Sequence, residues 1–263
     1  AQVTEAVDRA EEPQVKNNLR MMRTSLLLNS PTEEQVQEGI AFLRTTMLES
    51  EEPSLRGQAR ELLAEHYRQS DQIQKSNEVY DEYIEAYPDD PVVPQLQMAK
   101  ALGMKRLGEE EKAEELFEEG VEEVQAQIDE ELNLKQRTRM LNDLARMYEA
   151  FEKPEKAEEL YRRIMAENAM KREAIQAQFA IGGLYMRQQQ WEKAREHFRK
   201  IAQENPEGPI AQQAGQAIQQ IENIQQAWAE AEQQAAEAEE APAEEEAEPE
   251  EEQPEAAGDE EQP

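Results

Sequence analysis

Small residues recur along the chain at nearly constant intervals, and each is followed four positions later by a large apolar residue. The small residues are Gly39, Ser76, Ala113, Ala157 and Ala194, at intervals of 37, 37, 44 and 37 residues, and the large ones are Leu43, Tyr80, Phe117, Tyr161 and Phe198. Two further columns precede the last four copies: Tyr67, Met104, Tyr148 and Tyr185 lie nine residues before the small residue, and Ala64, Ala101, Ala145 and Gly182 lie three residues further back. Apolar residues three and four apart indicate helices, and self-similarity at this period indicates repeated helix pairs.

The columns have a direct physical interpretation. A small residue lets two helix backbones approach closely, and a large residue fills the gap between neighbouring helix pairs. One pair cannot bury its apolar face alone, so stacked neighbours are needed for stability. Pro88 and Pro206 mark the ends of second helices, and Pro154 suits the first turn of another.

The clearest copy, IQAQFAIGGLYMRQQQWEKAREHFRKIAQENPEG at 175–208, resembles the tetratricopeptide repeat. The residues that carry the resemblance are Gly182, Tyr185, Trp191, Ala194, Phe198 and Pro206. The copies at 138–171 and 57–90 match at most of the same columns. The resemblance implies an all-α fold, a right-handed superhelical α-solenoid of helix-turn-helix repeats.

Two copies depart from the pattern. The copy at 94–127 has Lys100 where the first helix should bury an apolar residue, which predicts an irregular first helix. The 44-residue interval follows this copy and predicts a second helix extended by about two turns, to about residue 133. Residues 19–53 lack the aromatic of the first helix, and Pro31 interrupts it, so this stretch is interpreted as a degenerate capping repeat.

The two ends of the chain differ from the repeats. Residues 1–18 are expected to be partly helical. Residues 209–236 carry an apolar stripe at helical spacing, which predicts an amphipathic capping helix. Residues 237–263 hold 14 acidic residues, no Lys or Arg, and no large apolar residue, so we expect a disordered acidic tail.

Charge narrows the classes of partner. The 60 acidic and 28 basic residues give a net charge of −32, and removal of the tail leaves 46 acids, or −18. Such a chain repels polyanions, so no nucleic-acid partner is expected. The absence of cysteine excludes disulfides and thiol chemistry. No apolar run approaches the roughly 18 residues of a membrane span, so no transmembrane segment is expected.

The sequence shows little catalytic potential, and we expect no enzyme activity, no cofactor and no metal. The two histidines, His66 and His197, each precede a packing aromatic residue and are interpreted as partly exposed helix residues. All serines lie at or before Ser76, which disfavours a serine triad within the regular repeats. There is no glycine-rich phosphate loop, and the acidic runs lack the pattern of a calcium loop.

The resemblance also implies a groove lined by the first helix of each repeat. The residues assigned to it are Arg139, Asn142, Arg146, Phe179, Met186 and Arg187, with Lys105 and Arg106 from the irregular repeat. This strip is basic and partly apolar, which suits an acidic and apolar peptide. The alternative is that these cations only pair with neighbouring Glu on a mixed surface. The Lys and Asn set of the carboxylate-clamp cochaperones is missing, since Asn142 and Arg146 occupy those positions in one repeat.

The segments AYPDDPVVPQLQMAKAL and ENPEGPIAQQAGQAIQQI resemble linkers in repeat proteins of the Gram-negative envelope. The favoured interpretation is therefore a non-catalytic scaffold that binds a protein or peptide partner in a bacterial periplasmic or envelope assembly, with the cytoplasm as the alternative. A chain that starts at Ala1 fits a processed N-terminus. Other hypotheses are a chaperone for basic clients that uses the acidic tail, a tail that covers the groove of its own chain, and self-association.

Overall fold

The computed structural model describes residues 13–168, 172–204 and 208–240, and every regular element within them is an α-helix. The helices are α1 (Pro13–Leu28), α2 (Glu33–Glu49), α3 (Pro53–Gln69), α4 (Ile73–Ala86), α5 (Val93–Arg106), α6 (Glu110–Glu130), α7 (Leu134–Ala150), α8 (Pro154–Glu167), α9 (Arg172–Arg187), α10 (Trp191–Glu204) and α11 (Pro209–Glu240). The predicted all-α repeat fold is confirmed.

The chain divides into two compact units, 1–190 and 191–263. In the first unit each helix from α1 to α9 packs against the next one in sequence. Contacts between helices two apart, α1 with α3, α2 with α4 and α5 with α7, bring equivalent helices of successive pairs side by side. In the second unit α10 packs against α11. The predicted repeat 175–208 contributes α9 to the first unit and α10 to the second.

The repeat columns form the core. Ala113, Ala157 and Ala194 are fully buried, and Phe117 and Tyr161, four residues after two of them, are at most 2% exposed. Large apolar side chains thus close the spaces that the small residues leave between helices, as solenoid stacking requires.

The turns inside four successive pairs share one conformation. The residue at the same repeat position has a left-handed backbone in each turn: Asp71 (φ 56°), Gly108 (φ 83°), Glu152 (φ 64°) and Gln189 (φ 58°). The following N–H then donates to the carbonyl of the column residue five positions earlier, at 2.8–3.0 Å, in the pairs Gln72–Tyr67, Glu109–Met104, Lys153–Tyr148 and Gln190–Tyr185. These bonds are Schellman motifs, which satisfy carbonyls left open at a helix end.

Three predictions about individual elements need correction. The first helix of the repeat at 94–127 is regular, because Lys100 lies half-buried and pairs with Asp81 instead of entering the core. The extended helix α6 ends at Glu130, short of 133, because Asn133 caps α7 by accepting the Gln136 N–H at 3.1 Å. A third correction concerns α11, which continues four residues beyond the predicted end, to Glu240.

Other predictions about the ends concern residues outside the described part. The tail from 241 to 263 and the first twelve residues lie there. Within the described N-terminal part, α1 begins at Pro13, inside the segment predicted as partly helical, and ends at Leu28, before Pro31.

Candidate functional site

A cavity of about 370 Å³ lies between α7, α8 and α9 in the first unit. One face of α7 supplies Lys135, Arg139, Asn142 and Arg146, whose spacing of four, three and four residues places them along a single helix face. The remaining lining is Thr138 from α7, Tyr161 and Ile164 from α8, and Glu173, Gln176, Ala177 and Ala180 from α9. The structure therefore brings together three predicted groove residues, Arg139, Asn142 and Arg146.

The charge of this cavity is opposite to that of the protein. Its lining holds three cations, Lys135, Arg139 and Arg146, and one carboxylate, Glu173. Arg139 and Arg146 are exposed, and among the described residues neither forms an ion pair within 4 Å. Asp143 is near both arginines: burial raises the pKa of its carboxyl, and the positive charges of Arg146 and Arg139 oppose that rise. Two guanidinium groups thus remain available to a ligand.

The cavity lining includes a buried, hydrogen-bonded tyrosine, Tyr161. Tyr161 is 2% exposed, and its hydroxyl donates to Glu149 Oε1 at 2.7 Å. Burial first, and then this carboxylate, raise the pKa of Tyr161 well above its ordinary value. The other carboxylate oxygen of Glu149 accepts from Arg187. Arg187, predicted as a groove cation, is therefore paired with Glu149 and lies outside the cavity lining.

The predicted apolar groove residues lie beside the cavity. Phe179 and Met186 are half-buried on α9 and do not contribute to its lining, which on that helix consists of Glu173, Gln176, Ala177 and Ala180. Its apolar surface comes instead from Ile164 and the two alanines.

Lys105 and Arg106 line a second cavity in the first unit, of about 620 Å³. Lys105 Nζ donates to Glu152 Oε2 at 2.6 Å and to the Phe151 carbonyl at 3.3 Å, so its charge is partly neutralised. Arg106 is exposed and forms no ion pair with any described residue. The other lining residues are Arg68, Ile73, Ser76, Asn77, Tyr80, Ala99, Leu102, Gly103, Met147, Ala150 and Glu152.

The two cavities adjoin on α7. Arg146 lines the smaller cavity and its neighbour Met147 lines the larger one. Tyr80 lines the larger cavity and occupies the same repeat column as Tyr161 in the smaller one. Its hydroxyl accepts a hydrogen bond from Arg68 Nη1 at 2.6 Å. The partners of the two tyrosines have opposite charge, the Arg68 guanidinium for Tyr80 and the Glu149 carboxylate for Tyr161.

Sequence reasoning missed two features of these sites. Lys135 lies four residues, about one helical turn, before Arg139, so the helical period alone predicts that it shares the same face. The close approach of α4 and α5 was not predictable, because a Cβ at Gly103 would lie 2.1 Å from Asn77 Oδ1. Only the packed structure shows that this glycine makes room for the Asn77 side chain.

Two other kinds of site, a metal centre and a membrane span, are absent from the described residues. No group of three or more His, Asp or Glu side chains is arranged there to hold a metal ion. Of the helices that the structure describes, none has an apolar stretch long enough to cross a membrane.

Comparison with known proteins gives a family for part of the chain. Residues 175–207 match the family model described as tetratricopeptide repeat. Among curated proteins, no sequence matches this chain.

The chain is also similar to solved structures. A variant of the tetratricopeptide-like repeats of a putative kinesin light chain from Podospora anserina is 22% identical, covers 73% of this chain and 98% of its own length, and has a TM-score of 0.47. The protein BtubC (BKLC) from P. vanneervenii is 19% identical, with 82% of this chain and 79% of that chain covered and a TM-score of 0.41. Residues 175–207 are thus a tetratricopeptide repeat, and the small and large residues of its columns are also buried in the earlier helix pairs.

Proposed function

We propose that the chain is a non-catalytic protein-interaction scaffold that binds an extended peptide of acidic and apolar residues along α7 and α9. The observation that carries the proposal is the charge of the smaller cavity. Three cations and one carboxylate line it, whereas the whole chain has a net charge of −32. A concave basic site on an acidic surface concentrates acidic ligands locally, while the surrounding acidic surface repels them elsewhere.

The remaining lining residues suit a peptide. Asn142 on α7 and Gln176 on α9 present amides from two walls of the same cavity, and a side-chain amide can both donate to and accept from a peptide backbone. Ile164, Ala177 and Ala180 supply apolar surface for a small or branched side chain. The pairings of Arg187 with Glu149 and of Lys105 with Glu152 support the mixed-surface alternative for these two residues.

The test is a charge reversal with a matched control. The double variant Arg139→Glu/Arg146→Glu is compared with Lys156→Glu/Arg162→Glu, which makes the same change of charge on exposed positions of α8 outside the cavity lining. The probes are fluorescein-labelled eight-residue peptides that alternate Glu with Leu, Gln with Leu, or Lys with Leu, and binding is measured by fluorescence anisotropy.

We expect the Glu-Leu peptide to bind best and to bind more weakly as salt is raised. The cavity variant should lose at least a factor of ten in affinity, equivalent to about 1.4 kcal/mol, while the control keeps the affinity of the wild type. Equal loss in both variants would attribute the effect to net charge, and unchanged binding in the cavity variant would refute the proposed site.

Removal of residues 237–263 separates the scaffold from the other hypotheses. A scaffold should bind the Glu-Leu peptide with unchanged affinity after the deletion. A chaperone that uses the tail should lose its ability to hold a basic client. If the tail covers the groove, its deletion should expose the groove and tighten the binding of the peptide. The tail carries 14 acidic residues and no base, which is the feature that supports these two alternatives.

We also propose that the protein acts in the bacterial periplasm or envelope. The two linker segments that resemble envelope repeat proteins support a bacterial periplasmic or envelope assembly. Fractionation of cells that express the untagged full-length protein from its own gene distinguishes the periplasm from the cytoplasm.

A further inference from the structure

Helix α1 presents an apolar stripe to solvent. Val15, Leu19, Met22 and Leu26 follow one another at spacings of four, three and four residues, which places them on one face. Val15, Met22 and Leu26 are 44%, 56% and 57% exposed. The opposite face already packs in the first unit, where Met21 and Thr24 are buried. Adjacent exposed apolar side chains in this arrangement mark an interaction surface.

The charge of α1 is unusual for this protein. The helix contains Lys16, Arg20 and Arg23 and no acidic residue. Arg23 pairs with Glu38 of α2, whereas Lys16 and Arg20 form no ion pair with any described residue. The stripe on α1 is therefore apolar and flanked by cations.

Helix α11 presents a stripe with the same spacing and the opposite charge. Ile224, Trp228, Ala231 and Ala235 are again four, three and four residues apart. Trp228 is 53% exposed although its ring meets Trp191 edge-on at 5.8 Å, and residues 226–235 are all exposed. From 209 to 240 the helix contains acidic residues, Glu230 and Glu232 among them, and no Lys or Arg.

We propose that α1 of one copy packs against the C-terminal half of α11 of a second copy. Two stripes with heptad spacing can interdigitate over about three turns, as in a short coiled coil, where flanking charges select the partner. A contact between two α1 helices would bring cations together, and a contact between two α11 helices would bring carboxylates together. The contact of α1 with α11 places unlike charges side by side.

Such a contact is heterologous, because the two copies use different surfaces. Each copy keeps one free α1 and one free α11, so association continues until a ring closes or a filament grows. A single pair of short helices is a small interface of the transient class, so association should depend strongly on concentration. This inference is independent of the peptide site on α7 and α9.

The experiment measures the weight-average mass of the full-length chain by analytical ultracentrifugation over rising concentration. The mass should rise from 30.3 kDa to more than twice that value. Met22→Glu/Leu26→Glu should stay at 30.3 kDa at every concentration. The matched control Leu107→Glu/Leu132→Glu replaces two other exposed leucines and should behave as the wild type.

A charge swap tests the identity of the partner surface. Lys16→Glu/Arg20→Glu and Glu230→Lys/Glu232→Lys should each associate at least tenfold more weakly alone, and an equimolar mixture should associate again, because complementary pairs then form. Circular dichroism checks that each variant keeps its helix content.

Three results would overturn the proposal. They are a wild-type mass of 30.3 kDa throughout, association that survives Met22→Glu/Leu26→Glu, and a mixture of charge variants that fails to recover. A monomer that binds vesicles of phosphatidylcholine and phosphatidylserine through Met22 and Leu26 would also overturn it, and would assign the stripe to a membrane surface.

Discussion

Gly120 on α6 is a position where a single added methyl group should disrupt the packing of two helices. Gly120 is buried, and a Cβ at this position would lie 2.7 Å from Met98 Cγ and 2.8 Å from the Pro94 carbonyl oxygen. Normal contacts between such atoms are about 3.5 Å or longer. The methionine side chain can move, but the carbonyl belongs to the backbone of α5, so Gly120→Ala forces the two helices apart.

The expected cost follows from two opposing contributions. Overpacking a buried contact costs about 1–3 kcal/mol, and the fixed carbonyl favours the upper part of that range. Alanine in place of glycine inside a helix recovers about 1 kcal/mol. We therefore expect Gly120→Ala to lower the free energy of unfolding by about 1–2 kcal/mol.

Gly57 on α3 provides the matched control. A Cβ there would meet only the Arg60 guanidinium at 4.0 Å, so the substitution adds no clash. Gly57→Ala should raise the free energy of unfolding by about 0.5–1 kcal/mol through the loss of backbone freedom in the unfolded chain. The two alanine variants should thus change stability in opposite directions.

Urea unfolding followed by circular dichroism measures both variants. With a slope of about 2 kcal/mol per molar urea, the midpoint for Gly120→Ala should fall by about 0.5–1 M. Hydrogen exchange at the amides of α5 and α6 shows whether the loss is local, as expected of a repeat protein. A Gly120→Ala variant at least as stable as the wild type would refute the packing argument.

Two further predictions concern the α7–α8 pair. Asn168 is 3% exposed, and its Nδ2 donates to Thr138 Oγ1 at 2.9 Å. Asn168→Ala should lower the free energy of unfolding by about 2 kcal/mol, because the Thr138 hydroxyl loses this partner. An unchanged urea midpoint would contradict this. Burial raises the pKa of Glu167, but hydrogen bonds from Arg163 and Arg137 outweigh it and hold the pKa below its ordinary value of 4.5. The stability that these hydrogen bonds give is present above about pH 5 and is lost as the pH falls through the lowered pKa. Glu167→Gln should therefore flatten the acid side of a plot of melting temperature against pH. An unchanged slope would show that this carboxylate does not contribute.

The repeat architecture was predictable because it depends on local periodicity. Small and large residues at fixed spacing can be read without knowing which helices touch, and the columns at Ala157 and Tyr161 are buried as expected. The two-turn extension of α6 was visible as a longer interval, although its end was set by the Asn133 cap.

Parts of the candidate site were predictable for the same reason. Arg139, Asn142 and Arg146 lie on one face of α7 because of the helical period, and the structure gathers them in one cavity. Which of the predicted cations remained free was decided by tertiary contacts. Glu149 neutralises Arg187 and Glu152 binds Lys105, and both carboxylates come from elements far from their partners in sequence.

The sequence by itself therefore determined the class of fold, the helix pairs and the acidic character of the chain, since composition and periodicity are properties of the chain alone. Only the tertiary structure revealed the left-handed turns at Asp71, Glu152 and Gln189, where a hydrogen bond closes each helix end around a non-glycine residue. It also decided the fit of Gly103 against Asn77 and the identity of the free guanidinium groups. The last two features depend on contacts between residues remote in sequence, which no local pattern encodes.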